Sequence, residues 1–194
     1  MLLNLAPGPD MLYVIGRSVG QGRKAGVVSA LGIFAGCMVH IVLAAAGVAA
    51  LLHSYPLAFN VIRYAGAAYL VYLGARMLAS RTPHLSADKP PDASLGKIFS
   101  QGVITNVLNS KVALFFLAFL PQFLNTNGYS VGLQIVCLGM IFNIGGTLVN
   151  LAVAYAGGSL GNLLRRKPSI ARAQEWFTGS LLIGLGLRVG LSRR

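Results

Sequence analysis

Long apolar stretches separated by short polar loops recur along the whole chain. Residues 25–52 contain no Asp, Glu, Lys or Arg and exceed the roughly 20 residues that a helix needs to cross a bilayer. A soluble protein of 194 residues cannot bury several such helices in one core, so the pattern predicts an all-α membrane protein. Six apolar segments are predicted as transmembrane segments, and they cover residues 1–15, 25–52, 57–78, 98–124, 131–157 and 176–191.

Two of these segments are interrupted by residues that disfavour a continuous helix. In the first segment, "PGPD" places Pro7 and Pro9 on either side of Gly8. Each proline lacks a backbone N–H and clashes with the carbonyl four residues earlier, and glycine lets the chain unwind. The fourth segment is interrupted by "LNSK", residues 108–111. Carbonyl groups freed inside a membrane need partners, so we expect both breaks to line a cavity, with a simple structural kink as the alternative.

Each break carries one charged residue, Asp10 in the first and Lys111 in the second. Lys111 has thirteen residues of its segment on each side, too many for its ammonium to reach an interface easily. Charged groups inside membranes are costly, and they usually belong to transport pathways or pair with each other. Two alternatives stay open from sequence: Asp10 caps the helix that follows it, and Lys111 pairs with Asp10 only to lock the two segments together.

A zwitterionic substrate at the bilayer midplane needs an acid, a base, unwound carbonyl groups and helix N-termini. The two breaks supply these groups, and Asn106 and Asn109 add amides three residues apart on one helix face. The aromatic Tyr69 and the amide Asn143 are further candidates for the cavity wall. The predicted substrate site therefore comprises Pro7, Gly8, Pro9, Asp10, Tyr69, Asn106, Asn109, Ser110, Lys111 and Asn143.

The net charge of +12 is also typical of nucleic-acid-binding proteins, but the positions of the basic residues favour a membrane protein. They cluster in alternate loops, beginning with Arg17, Arg23 and Lys24 after the first segment, whereas the loops after the second and fourth segments are uncharged. Basic loops face the cytoplasm in membrane proteins, so residues 79–97 are predicted as a cytoplasmic linker and both termini as external. The terminal Arg193 and Arg194 conflict with this scheme.

The linker divides the chain into two similar parts, residues 1–78 and 98–194. Each part opens with a broken helix followed by two longer segments, and Asn4 aligns with Asn106 when the two breaks are superposed. An odd number of segments per part requires the second part to sit inverted in the membrane. Inverted repeats that begin with discontinuous helices are typical of secondary transporters with a substrate site near the midplane.

The remaining polar and small residues of the apolar segments suggest packing roles. Cys37 and Cys137 show no disulfide framework and no metal-ligand spacing, so neither a metal nor a cofactor is predicted. His40 is predicted to hydrogen-bond across helices, with a proton relay as the alternative. Gly32 and Gly36 are spaced to let two helices approach closely.

Three stretches resemble the LysE/RhtB family of bacterial amino-acid exporters: "PGPDMLYVIGRSVGQGRKAGVVSALGIFAG", "YAGAAYLVYLGARM" and "FSQGVITNVLNSKVALFFLAFLPQF". The resemblance implies a multi-pass protein of the bacterial inner membrane that exports amino acids or their derivatives, driven by the proton gradient. It leaves open which amino acid is carried and whether two copies form a homodimer. The chain departs from the family at Ser110, where a proline is usual.

Other function classes fit the residues less well. A cation or metal exporter, or a channel on the same scaffold, is the alternative that stays open, although a metal site needs a larger cluster of Cys, His or carboxylate groups. An enzyme is not predicted, because the sequence contains no set of nucleophile, base and orienting residue, and its four acidic residues are too few for carboxylate pairs.

Overall fold

The computed structural model describes residues 2–5, 8–54, 56–79, 91–125, 128–166 and 168–191, and within these ranges it contains helices and no strand. The helices are α1 (Leu2–Leu5), α2 (Pro9–Gln21), α3 (Arg23–Ser54), α4 (Pro56–Ala79), α5 (Leu95–Val107), α6 (Ser110–Leu114), α7 (Val131–Arg166) and α8 (Pro168–Leu191). A π-helical turn (Phe115–Phe119) and a 3₁₀ turn (Leu120–Phe123) continue α6. The all-α class predicted from the sequence is confirmed for these residues.

Helices α3 and α7 each contain a stretch long and apolar enough to cross a membrane, Arg23–Gly47 and Val131–Gly157. Helix α5 and the residues Ser110–Phe123 pass the same test together, with a bend of 45° at the break between them. The described residues thus contain two such spans, or three if the bent pair is one span. The six-segment organisation stays a prediction.

Glycines set the closest helix contacts. A Cβ atom added at Gly36 of α3 would lie 2.8 Å from Cβ of Asn106 on α5, and one added at Gly32 would clash with the carbonyl oxygen of Phe99. The close approach predicted for Gly32 and Gly36 is confirmed. In the same way, a Cβ added at Gly74 of α4 would lie 2.5 Å from the carbonyl oxygen of Gly179 on α8. A Cβ added at Gly179 would lie 2.8 Å from the carbonyl oxygen of Gly74.

Two clusters of buried hydrophobic side chains form the interior. The first cluster is centred on Phe116 and Phe142 and includes Val112. The second cluster is centred on Val14 and includes Ile33, together with Met11 and Ala154. Because α3 and α7 contribute to both clusters, these two long helices hold the interior together.

Several predicted boundaries differ from the structure: α7 continues to Arg166, beyond the predicted end at residue 157, and α8 begins at Pro168, before the predicted start at residue 176. The first segment was expected to end near residue 15, with Arg17 in a cytoplasmic loop; instead α2 continues to Gln21, and Arg17 is buried within it. Residues 80–90 of the predicted linker lie outside the described residues. Its last part reaches α5 at Ser94, whose hydroxyl caps the helix by accepting a hydrogen bond from the Lys97 N–H at 3.4 Å.

Candidate functional site

The break at the start of the chain is built around Gly8, which is the N-cap of α2. Pro9 takes the first helical position, where its missing N–H costs no intrahelical hydrogen bond. Asp10 lies in the first turn, so the alternative that it caps this helix is wrong, and its carboxylate is left for other partners. Pro7, which was predicted to contribute to the break, lies outside the described residues.

The second break forms although Ser110 stands where the family has proline. Helix α5 ends at Val107, and Asn109 becomes the N-cap of α6, where its side-chain oxygen accepts a hydrogen bond from the Lys111 N–H at 3.0 Å. Asparagine is among the best N-cap residues, so it starts a new helix without help from proline. Ser110 is the first residue of α6 and is exposed.

A small cavity lies against both breaks and has a volume of about 40 Å³. This is room for about three water molecules at most, which is less than an amino acid needs. Four of the predicted site residues line it: Asp10, Asn106, Lys111 and Asn143. The other lining residues are Asn4, Met11, Ile33, Cys37, Val112, Phe142, Gly146, Thr147 and Asn150.

The two charged residues predicted from the sequence, Asp10 and Lys111, both line this cavity. The Asn106 side chain donates a hydrogen bond from Nδ2 to Oδ2 of Asp10 at 2.9 Å. Lys111 interacts electrostatically with the same carboxylate. Gly8 leaves room for the lysine, because an added Cβ there would lie only 2.9 Å from Lys111 Nζ. The breaks thus join an acid, a base and an amide at one point.

Several polar atoms at this point are buried without a hydrogen-bond partner among the described residues. They include two acceptors, Oδ1 of Asp10 and Oδ1 of Asn106, and one donor, Nδ2 of Asn109. Of these two asparagines, Asn106 is the one whose amide donates a hydrogen bond to the Asp10 carboxylate among the described residues. Buried polar atoms of this kind are costly, and they are normally satisfied by ordered water or by a bound polar group.

His40 does not line the cavity but is linked to it through Asn106. Its Nε2 is 3.0 Å from the carbonyl oxygen of Asn106, and its ring is stacked on Phe116 with centroids 6.0 Å apart. The hydrogen bond across helices predicted for this histidine is confirmed. Since Asn106 also binds Asp10 through its side chain, one residue connects the imidazole with the carboxylate.

Tyr69 is not brought to this site. Its side chain is 40% exposed on α4 and contacts the ring of Tyr72 at 5.9 Å between centroids. It is not among the residues that line the cavity. The side chain of Pro9 is also exposed. Neither side chain lines the cavity, because both point to the exposed surface of their helices.

The polar residues of α7 form a part of the wall that the sequence prediction mostly missed. Thr147 and Asn150 follow Asn143 at four and seven residues, which is the spacing of one helix face. Asn143 donates to the carbonyl oxygen of Phe34 at 3.1 Å, and Thr147 donates to that of Asn143 at 2.8 Å. This polar stripe on an apolar helix was a signal that could have identified the wall.

Asn4 also lines the cavity. Its amide donates to the carbonyl oxygen of Phe142 at 2.8 Å, and a Cβ added at Gly146 would lie 3.1 Å from its Oδ1. The two aligned asparagines therefore occupy similar positions: each packs against a glycine of a long helix, Asn4 against α7 and Asn106 against α3.

A hydrogen-bond network joins α2 to the start of α5 at the end of the molecule where basic residues cluster. Arg17, only 3% exposed, donates to Gln21 Oε1 at 2.6 Å, to the carbonyl oxygen of Pro91 at 2.9 Å and to Gln101 Oε1 at 2.7 Å. Tyr13 adds a hydrogen bond to the carbonyl oxygen of Ile98 at 2.8 Å. The network closes the space between these two helices.

Comparisons with known proteins agree on one family. The model of the LysE type translocator family matches residues 1–193. The chain is 33% identical over 186 residues to the leucine efflux protein of Salmonella typhimurium strain LT2, covering 95% of this chain and 88% of that protein. It is 30% identical over 190 residues to the leucine efflux protein of Enterobacter sp. strain 638, with the same coverage of both chains. No solved structure matches the chain.

Proposed function

Because the chain belongs to the LysE-type translocator family, we propose that it is a secondary active exporter of amino acids or their derivatives across the bacterial inner membrane, coupled to protons. The relatives named as leucine efflux proteins make leucine the first amino acid to test. A homodimer stays a prediction, since the site described above is built from a single chain.

One observation carries this proposal: the cluster of Asp10, Asn106 and Lys111 at two helix breaks on one cavity. An α-amino acid carries an ammonium and a carboxylate. The two buried acceptors without partners, on Asp10 and Asn106, suit the ammonium. Lys111 suits the carboxylate as a point charge. With substrate bound, each protein charge has an opposite charge beside it; without substrate, the two side chains neutralise each other.

Reciprocal contacts support the inverted-repeat organisation with six transmembrane segments. Asn4 of the first part packs on Gly146 of the second, and Asn106 of the second part packs on Gly36 of the first. A Cβ added at Gly74 would meet the carbonyl oxygen of Gly179, and one added at Gly179 would meet that of Gly74. Such exchange of equivalent contacts is what a pseudo-two-fold axis between the two parts produces.

Transport requires the cavity to open on alternate sides, because its present volume excludes an amino acid. The Arg17 network joins α2 and α5 at the end predicted to face the cytoplasm. We assign to this network the closure of the cytoplasmic entrance. Entry of substrate from the cytoplasm then requires Arg17 to separate from Gln101.

Transport into inverted membrane vesicles tests the proposal. In such vesicles an exporter accumulates its substrate, so a panel of radiolabelled amino acids is measured with and without a proton gradient. We expect leucine to accumulate only with the gradient, and Asp10→Asn to abolish accumulation. Uptake of labelled manganese or rubidium ions without uptake of any amino acid would instead favour the cation-exporter alternative.

A further inference from the structure

We propose that Met11, Ile33, Val112 and Phe142 form a subsite that accepts the substrate's side chain and selects neutral amino acids with an aliphatic side chain. This inference rests on the proposed export function and adds which residues decide the side chain. All four residues line the cavity and are at least nine-tenths buried.

The subsite follows from how the breaks are built. In each break the charged residue is followed at once by a hydrophobic one: Met11 follows Asp10, and Val112 follows Lys111. Both members of each pair reach the same cavity. The charged residues can hold the zwitterionic part of an amino acid only if the side chain attached to it lies next to the hydrophobic residues.

The position of the subsite also favours binding of an apolar group, because it adjoins both hydrophobic clusters. Met11 and Ile33 belong to one buried hydrophobic cluster, and Val112 and Phe142 belong to the other. The cavity lies between the two clusters. An aliphatic side chain placed there contacts both clusters and removes apolar surface from water on two sides. Phe142 is held in place by stacking on Phe115, with 4.1 Å between ring centroids.

Polar and basic side chains fit this cavity less well. The amides of Asn4 and Asn143 and the hydroxyl of Thr147 each donate one hydrogen bond to a backbone carbonyl oxygen, so the hydroxyl hydrogen and one hydrogen of each amide are already used. Among the residues that line the cavity, Asp10 is the acid, and the proposed function assigns it to the α-ammonium. A lysine or arginine substrate would therefore bury a second cation without a carboxylate partner, which is costly.

Competition in inverted vesicles tests the subsite. Leucine and serine are offered together, each with its own radiolabel, and the ratio of their kcat/KM values is measured for the wild-type protein and for Val112→Thr. The substitution keeps the shape of the side chain and adds one hydroxyl, which a helix satisfies through its own carbonyl groups. Val14→Thr is the matched control, because Val14 is fully buried on α2 and does not line the cavity.

We expect Val112→Thr to lower the leucine-to-serine ratio by about tenfold, the effect of one changed group in an apolar pocket, while Val14→Thr leaves it unchanged. Ile33→Ala is the second variant, in case Val112→Thr fails to reach the membrane. It enlarges the subsite, so export of phenylalanine should rise severalfold relative to leucine.

Three results would overturn the inference in different ways. If leucine is exported but both variants keep the wild-type selectivity, the subsite is wrong and the exporter assignment stands. If the wild-type protein exports lysine and arginine as well as leucine, the selectivity claimed here is wrong. If it exports no amino acid under a proton gradient, the proposed function fails, and the subsite fails with it.

Discussion

Replacing Gly8 with alanine tests whether transport depends on the position of the Lys111 ammonium. The added Cβ would lie 2.9 Å from Lys111 Nζ, and ordinary contact begins at 3.4 Å, so the ammonium must retreat by about 0.5 Å. The backbone itself tolerates alanine, because Gly8 has an extended conformation with φ −156°. The atom that must move is the end of a flexible side chain, so we expect the free energy of unfolding to change by less than about 1 kcal/mol.

Transport should respond far more strongly than stability. Binding sites hold their groups to within about 0.5 Å, and misplacement by about 1 Å can cost up to about a hundredfold in rate. We therefore expect Gly8→Ala to lower leucine export by about tenfold to a hundredfold. Initial rates are measured in inverted vesicles and normalised to the amount of protein in the membrane, and thermal unfolding in detergent reports stability.

Gly16→Ala is the control for this experiment. Gly16 lies on the same helix, α2, and an added Cβ there meets nothing within 4 Å. Alanine at this position favours the helix by about 0.5–1 kcal/mol and should leave export unchanged. Wild-type export by Gly8→Ala would refute the reasoning, because it would show that Lys111 can move without consequence. Equal losses in both variants would show a general effect on α2.

Three further predictions follow from the same site and its surroundings. Asp10→Asn and Lys111→Gln should each abolish export. Each should also lower the free energy of unfolding by several kcal/mol, because one buried charge is left without its partner. The double variant should regain stability in thermal unfolding but should not regain export. Arg17→Ala should lower the free energy of unfolding by about 2–3 kcal/mol, because it removes the hydrogen bonds that Arg17 donates to three acceptors; an unchanged melting temperature would contradict this. In a background without native cysteines, Tyr129→Cys should be labelled from the periplasmic side and Asp92→Cys from the cytoplasmic side, and the reverse pattern would overturn the topology.

The sequence alone was sufficient for the features that depend on neighbouring residues. Pro9 and Gly8 start a new helix because of their own covalent structure, and Asn109 caps the next one through its own side chain. Apolar length indicated a membrane protein, and the lone charges Asp10 and Lys111 marked the two breaks as a candidate site, where both residues line one cavity. These signals extend over a few residues each, so no knowledge of distant contacts was needed.

Only the tertiary structure decided which side chains meet. From the sequence, Asp10 could also have capped its own helix. The packing of α2 against α5 instead places the Asn106 amide beside its carboxylate. Arg17 was expected in a loop, but the ends of two helices and the linker bury it. Tyr69 was expected at the cavity, but α4 turns its face outward. The direction in which a helical residue points depends on how the helix is rotated against its neighbours, and in a chain with so many apolar faces that rotation is set by close contacts between residues far apart in sequence, such as Gly36 with Asn106.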